Sequence, residues 1–319
     1  MRAAQVTEIG APPQMVTLPE PAPGEGETLI AVTTASLNPV ELRVAAGRMP
    51  GASPPYVPGL EGVGTVIASP TLPAGTRVRF ENDLPGFGRD GSIRGTAVAE
   101  PDALFELPAS VEDAEAVAAG VVGITAELAY RLAGMKKGDR VAVLGATGGV
   151  GQMAVQLAAA RGGSAVVAVG RHRPGLEWLE SNGATATVDL EGTTDLPAAL
   201  LDAAGGPIDI VIDPLWGPPA MAAIAALAEG GRLVSVGNSA GTDADLPLQA
   251  MRKARSALLG LSSGWTPLRD KMEAYGFVVE QMSAGRVSVA HEVQPLDEIS
   301  QAWIRQGKSP HTKLVISLS

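Results

Sequence analysis

The sequence predicts an α/β protein, a doubly wound parallel sheet joined to a smaller β-rich domain. Three observations carry this. Residues 1 to about 110 are rich in Pro and Gly with short alternating runs, whereas from about 113 strand-like and helix-like segments alternate. The strands of the second stretch are Val-rich and apolar on both sides, as buried parallel strands are. One of them runs straight into a glycine-rich turn with a helical pattern behind it.

Composition narrows the possibilities. At ~150 residues per domain, 319 residues make about two domains. That is enough chain to bury a large core without staples. Asp and Glu number 34 against 24 Lys and Arg, a net charge of −10 with no basic cluster, so nucleic acid is not an expected partner. The absence of cysteine excludes disulfides, thiolate nucleophiles and cysteine-ligated zinc. The three histidines (His172, His291, His311) are scattered, and no metal is expected. With 4 Trp, 3 Tyr and 4 Phe, the core must be mainly Ala, Val and Leu. No apolar run approaches the ~20 residues of a membrane span. The opening Met1-Arg2-Ala3-Ala4-Gln5-Val6 reads into a strand and lacks the apolar stretch of a signal peptide. The expectation is a soluble cytoplasmic protein with no membrane partner.

In chain order, 28–32, 62–67 and 76–80 are strand-like and bounded by turn residues, as in a partly closed barrel. Residues 19–23 form a short Pro-rich loop, and 113–134 read as a helix. Strands follow at 140–145, 165–170, 185–189, 208–213 and 231–237, with helices between them. Residues 267–284 and 295–306 read as helices and 313–318 as a last strand. The domains expected are therefore 1–118, 119–258 and a tail, 259–319, that returns to the first.

The sharpest signal is Val141-Ala142-Val143-Leu144-Gly145-Ala146-Thr147-Gly148-Gly149-Val150-Gly151. In the helix behind it Val150, Met153, Ala154, Leu157 and Ala158 share one face. Missing side chains let a pyrophosphate approach the backbone, and the helix start offers unpaired N–H groups. Gly151 lets the helix pack close to the sheet. This is a Rossmann-type dinucleotide turn, with Ala146, Thr147, Gly148, Gly149 and Val150 as the cradle. An NAD site carries an acid ~20 residues further on. Here the next strand ends at Gly170, followed by Arg171-His172-Arg173. An acid would repel a 2′-phosphate, whereas a guanidinium can fork onto it, so the cofactor reads as NADPH held by Gly170, Arg171 and Arg173. Plain solvated surface charge is the alternative for either arginine.

These residues resemble the medium-chain dehydrogenase/reductase superfamily, in its zinc-independent, ζ-crystallin-like quinone oxidoreductase branch. The resemblance rests on Gly138-Asp139, the 146–151 turn with Gln156, and the segment 120–126 containing Thr125. It extends to Asp209-Ile210-Val211-Ile212-Asp213, to 230–237, and to the closing Gly307-Lys308-Ser309-Pro310-His311-Thr312-Lys313-Leu314-Val315. It implies a GroES-like catalytic domain built from both chain ends around a central Rossmann domain. It also implies ribose and nicotinamide contacts at Gly237, Asn238, Leu261 and Ser262. Where zinc members carry Gly-His-Glu, this chain reads Gly59-Leu60-Glu61, so Glu61 is expected to pair within the barrel.

On the substrate side the resemblance places Asn38 and Glu41. Asn38 would bond the nicotinamide ribose or a substrate carbonyl, or else serve as a turn residue before Pro39. Glu41 would help position substrate or stand as a solvated helix charge. Met49 stands where many relatives have tyrosine, and methionine cannot donate a proton. Tyr56 either lines the site or packs on its neighbouring prolines. The function implied is hydride transfer from NADPH to a quinone or α,β-unsaturated carbonyl. A 2-enoyl thioester reductase and a non-catalytic NADPH-binding protein stay open as alternatives. Relatives are often dimers, and the apolar stretch 257–261 suits a homodimer.

Overall fold

The computed structural model describes residues 1–49 and 51–318. The chain forms two compact units, one of residues 1–121, 267–272 and 289 onward, the other of 122–266 and 273–288. Through the first unit run β1 (Arg2–Gln5), β2 (Gln14–Thr17), β3 (Thr28–Ser36), α1 (Pro39–Ala45), β4 (Glu61–Ala68), β5 (Arg77–Glu81), β6 (Thr96–Ala99), β7 (Leu104–Glu106) and α2 (Asp113–Ala118). There follow α3 (Gly120–Ala133), β8 (Arg140–Val143), α4 (Gly149–Ala160), β9 (Ala165–Gly170), α5 (Arg173–Glu180), β10 (Ala186–Asp189), α6 (Leu196–Ala204), β11 (Ile208–Asp213), α7 (Gly217–Ala225), β12 (Leu227–Ser235), α8 (Leu248–Ala254), β13 (Ala257–Gly260) and α9 (Leu268–Ser283). The chain closes with β14 (His291–Pro295), α10 (Ile299–Gln306) and β15 (Lys313–Ser317).

The first unit is GroES-like and holds a sheet in the order β14-β15-β3-β4-β5-β7, with β6 also on β3. Only the β14–β15 pair is parallel. Its core lies in two apolar clusters, one around Leu37, Val44, Ile93, Trp303 and Leu314, the other around Ile30, Val66, Val78 and Phe80.

The second unit holds the parallel sheet β10-β9-β8-β11-β12-β13. All six positions of β9, Ala165 to Gly170, are buried, as the Val-rich pattern requires. Strand order reverses between β8 and β11, so the crevice of this Rossmann-type sheet opens at their carboxyl ends.

Several expectations differ from what is observed. The helix read over 113–134 is two helices, α2 and α3, interrupted at Ala119. The break starts a new helix at Gly120, and in its first turn the Val121 N–H donates to a buried carboxylate. Strands β2 and β14 were not anticipated, because both are edge segments with little apolar alternation, β2 mostly exposed and β14 only partly buried. The tail 259–319 does not return as one piece, since 259–266 and 273–288 group with the second unit. There α9 packs on α3, where a Cβ on Gly123 would stand 2.9 Å from a Val278 methyl. Helix α4 is buried from Gly151 to Ala158, polar Gln152 and Gln156 included, rather than along a single apolar face. Among the described residues no helix is long and apolar enough to cross a membrane.

Candidate functional site

In the second unit the carboxyl edge of the parallel sheet gathers the residues expected to meet the cofactor. Helix α4 starts at Gly149 with Gly148 as its N-cap, and no side chain caps it. The N-cap glycine offers the first N–H groups of the helix no side-chain acceptor of its own, and the dipole places positive charge there. A Cβ on Gly148 would meet nothing nearer than the Gly145 carbonyl oxygen at 3.5 Å, so the space over the turn is open. A Cβ on Gly151, by contrast, would overlap Gly145 and Ala146. That glycine lets α4 sit against the turn.

Two glutamines that the sequence reading did not single out for this purpose hold the turn. Buried Gln152 donates from Nε2 to the Thr147 carbonyl at 3.0 Å. Gln156 donates to the Ser288 carbonyl at 2.7 Å and accepts from the Ser288 N–H at 2.9 Å, tying α4 to the end of its own unit. Both are polar positions inside a helix buried all round, and their hydrogen bonds meet the demand that burial makes. Ala146 and Thr147 are themselves buried, whereas Gly148, Gly149 and Val150 are partly open. The Thr147 methyl packs at Gly170 and Gly175, where a Cβ would come within 3.2 and 2.9 Å of it.

Beyond Gly170 the two arginines behave differently. Arg171 is exposed and makes no ion pair or hydrogen bond among the described residues. Arg173 pairs with Asp189 at 3.0 Å. An exposed pair of this kind contributes little, so it does not lock the guanidinium. Between them His172 caps α5, its Nδ1 accepting from the Gly175 N–H at 3.1 Å. The Asp189 carboxyl lies below its ordinary range because the Glu191 N–H, then Arg173, favour its charged form.

Gly237 and Asn238 follow β12, and Leu261 and Ser262 follow β13, on the same sheet edge. A Cβ on Gly237 would crowd the Pro214 carbonyl at 2.8 Å. Thr125 donates to Ser263 at 3.1 Å, which brings α3 to that loop. At the end of β11, buried Asp213 accepts from the N–H groups of Leu215 and Trp216, each at 2.9 Å. These bonds hold Trp216 at a φ of 59°, a left-handed conformation rare for a bulky residue. Trp216 packs partly buried on the core, whereas Trp265 is 90 % exposed.

In the first unit, Asn38, Glu41 and Glu61 belong to a buried polar network. Glu61 is fully buried. Its Oε1 accepts from Ser36 at 2.6 Å and Asn38 at 3.3 Å, and its Oε2 from Arg79 and the Val121 N–H, both at 2.8 Å. Arg79 also bonds Glu81, which takes Lys271 at 2.5 Å. Lys313, buried, donates to the Asn38 amide oxygen at 2.5 Å and lies 3.7 Å from Glu61. Burial alone would lift the Glu61 carboxyl, but Arg79 and then Lys313 hold it below its ordinary value. Burial pulls Lys313 down in turn.

Asn38 is thus bonded internally at both ends of its amide. Glu41 is no solvated helix charge. It is 2 % exposed and bridges the Asn38 N–H, at 3.2 Å, to the Leu60 N–H, at 2.7 Å. Burial raises its pKa to about 7. Tyr56 is buried too, and its hydroxyl finds no partner among the described residues. Burial and then the Glu41 charge push its pKa up to about 12. Met49 packs against the core of the first unit.

The comparisons agree with this geometry. The alcohol dehydrogenase GroES-like domain family matches residues 24–109, and the zinc-binding dehydrogenase family matches 149–274. The chain thus carries the two domain types that make up the medium-chain dehydrogenase/reductase superfamily. Within the superfamily it is similar, at 29 % identity over 316 residues, to a mycocerosic acid synthase-like polyketide synthase of Mycolicibacterium smegmatis. That match takes in 96 % of this chain but 15 % of the synthase, so the chain spans only a small part of that relative. A zinc-type alcohol dehydrogenase-like protein of Schizosaccharomyces pombe is 26 % identical over 314 residues, 96 % of this chain and 92 % of its own. Among solved structures, the quinone oxidoreductase of Thermus thermophilus, described also in complex with NADPH, superposes with a TM-score of 0.83 at 28 % identity over 100 % of both chains. Superfamily members carry a nicotinamide cofactor on their Rossmann-type unit. The zinc found in some of them does not suit the residues here. The chain has no cysteine, and the Glu61 carboxylate is already saturated by Ser36, Asn38, Arg79 and Val121.

Proposed function

We propose that the chain is a zinc-independent, NADPH-dependent reductase that passes hydride to a quinone or an α,β-unsaturated carbonyl. The observation that carries this reading is the open, uncapped start of α4 above Gly148, followed at the next strand end by a loop with two arginines and no acid. The N–H groups at 149–151 would hold the diphosphate, and Arg171, joined by Arg173 on leaving Asp189, the 2′-phosphate. Thr125, Gly237, Asn238, Leu261 and Ser262 would meet the ribose and nicotinamide end. The cofactor, when bound, supplies the hydride.

The chain's own residues then mainly position. Holding an acceptor in reacting geometry is worth ~7–11 kcal/mol. Lys313 and Glu61 fix Asn38, and Glu41 holds a proton up to about pH 7 at the start of α1. A quinone suits a chain whose Met49 cannot donate a proton, because its reduced oxyanion is stable and solvent protonates it. Steady NADPH oxidation with 1,4-benzoquinone or a simple enone tests the proposal. Tight NADPH binding without turnover across such a panel would instead mark a non-catalytic binding protein.

The similarity to a polyketide synthase favours a second reading, a 2-enoyl thioester reductase. It requires a strong preference for a thioester over the free enone. The unpaired edge of β13, with half-buried Leu258 and Leu259, also supports a homodimer, which light scattering on the eluted protein would check.

A further inference from the structure

We propose that the second unit carries a separate site for an organic phosphate, at the far end of α4 from the glycine turn. A cavity of about 490 Å³ lies there, lined by Met135, Lys137, Arg161, Phe277, Gln281 and Arg286, with Ala160 also in its wall. Helix α4 has 12 residues, so Arg161 at its C-cap stands ~18 Å along the axis from the turn. The cavity is therefore distinct from the dinucleotide cradle, and the inference does not depend on the cofactor reading.

Three cations converge on this cavity in a chain of net charge −10. Their neutralisation is incomplete. Arg161 is bound to buried Glu127, a carboxylate that also serves Arg131, which itself lies 3.7 Å from Glu273. Arg286 reaches only Glu280, at 3.9 Å and with both side chains at least half exposed. Lys137 makes no ion pair or hydrogen bond among the described residues. The excess is positive, and it sits in a concave place where field lines concentrate.

The positions of these side chains are prepared. Gln281 is 4 % exposed, and its Oε1 accepts from the Arg286 Nε at 2.7 Å, which orients the guanidinium and leaves its other N–H groups for a ligand. The Lys137 stem lies over Gly162, whose φ is +78° and where a Cβ would stand 3.0 Å from the Lys137 Cγ. The Arg161 guanidinium lies 4.7 Å from the Phe277 ring centre, stacked rather than splayed into solvent. A lysine point charge beside planar arginine forks suits a divalent phosphoryl group. Met135, Ala160 and the Phe277 edge provide apolar surface for the body that carries it, and the volume is that of a small-molecule site.

The test is a residue-resolved NMR titration of the whole chain with phenyl phosphate and, separately, inorganic phosphate at constant ionic strength. The expected result is saturable shifts at the amides of 135–138, 160–162 and 286, with phenyl phosphate binding at least threefold tighter. Lys137→Ala/Arg286→Ala should weaken this binding tenfold or more and leave any response at 145–150 as it was. Absence of saturable shifts at these amides, or shifts that persist in the double variant, would overturn the proposal. Equal affinity for the two probes would overturn the organic body and leave a bare phosphate site. Should the double variant fold poorly, Lys137→Met keeps the stem over Gly162 while removing the charge, and the same weakening must appear.

Discussion

The Glu61 carboxylate occupies the space that a side chain on residue 120 would fill. A Cβ built on Gly120 overlaps the Glu61 Oε2, the atom that accepts from the Val121 N–H and from Arg79. Helix α3 begins with glycine because a fully buried acid reads its first turn. Gly120→Ala must push Glu61 off these donors. The expected cost is about 1–3 kcal/mol, read as a lower urea midpoint with an unchanged slope. An unaltered midpoint would show that the network has slack that these distances do not suggest.

Removing the acid is expected to cost more than crowding it. Glu61→Gln leaves Arg79 and Lys313 as buried cations without their shared anion, and breaking such a pair costs about 3–5 kcal/mol. Lys313→Met added to Glu61→Gln relieves part of this, because the second change removes a stranded charge. A double-mutant cycle by urea denaturation reads the coupling, and strict additivity would argue against a connected network.

Glu41 predicts a pH dependence of stability. Its folded pKa is raised to about 7 against an ordinary 4.5, so the native state keeps a proton that the unfolded chain releases. The contribution is complete below about pH 4.5, declines as pH rises, and is gone by about pH 7. At 1.36 kcal/mol per pKa unit the span is about 3 kcal/mol. Glu41→Gln removes this slope. The stability of the variant relative to wild type should therefore rise between pH 5 and pH 8. A difference that stays flat over that window would mean that Glu41 is ionised throughout.

The 2′-phosphate role proposed for Arg171 predicts that one substitution separates the two cofactors. Arg171→Ala should weaken NADPH about tenfold and leave NADH unchanged in fluorescence titrations, as the loss of one charge-assisted contact predicts. Arg173→Ala should do less, since Arg173 begins in a pair with Asp189. Equal losses for both cofactors would remove the phosphate role assigned to Arg171.

The parallel sheet was legible because its central strands β8, β9 and β11 are runs rich in Val, Ile and Ala that burial on both faces explains, and the glycine turn was legible because chain geometry demands it. Helix α9 was legible as a helix but not in its placement, since the packing of Val278 on Gly123 involves residues 155 positions apart. Of the charge network only Glu61 was legible, as a carboxylate expected to pair within the barrel. Glu41, Arg79 and Lys313 look like ordinary surface charges in one dimension, and only the meeting of α1 with β3, β4, β5 and β15 buries them beside it. Gln152 and Gln156 were hidden similarly, because a helix buried all round shows no polar face to read.

Strand β15 lies between β14 and β3 inside the barrel sheet, whereas the six parallel strands fall within one uninterrupted stretch, 140–260. During synthesis the ribosome releases everything needed for the parallel sheet before it reaches residue 313. The barrel, begun at residue 28, waits half-made for a strand almost three hundred residues later. Nascent chains arrested near residue 300 should thus hold a folded nucleotide-type unit and an open barrel whose β3 edge is exposed to chaperones.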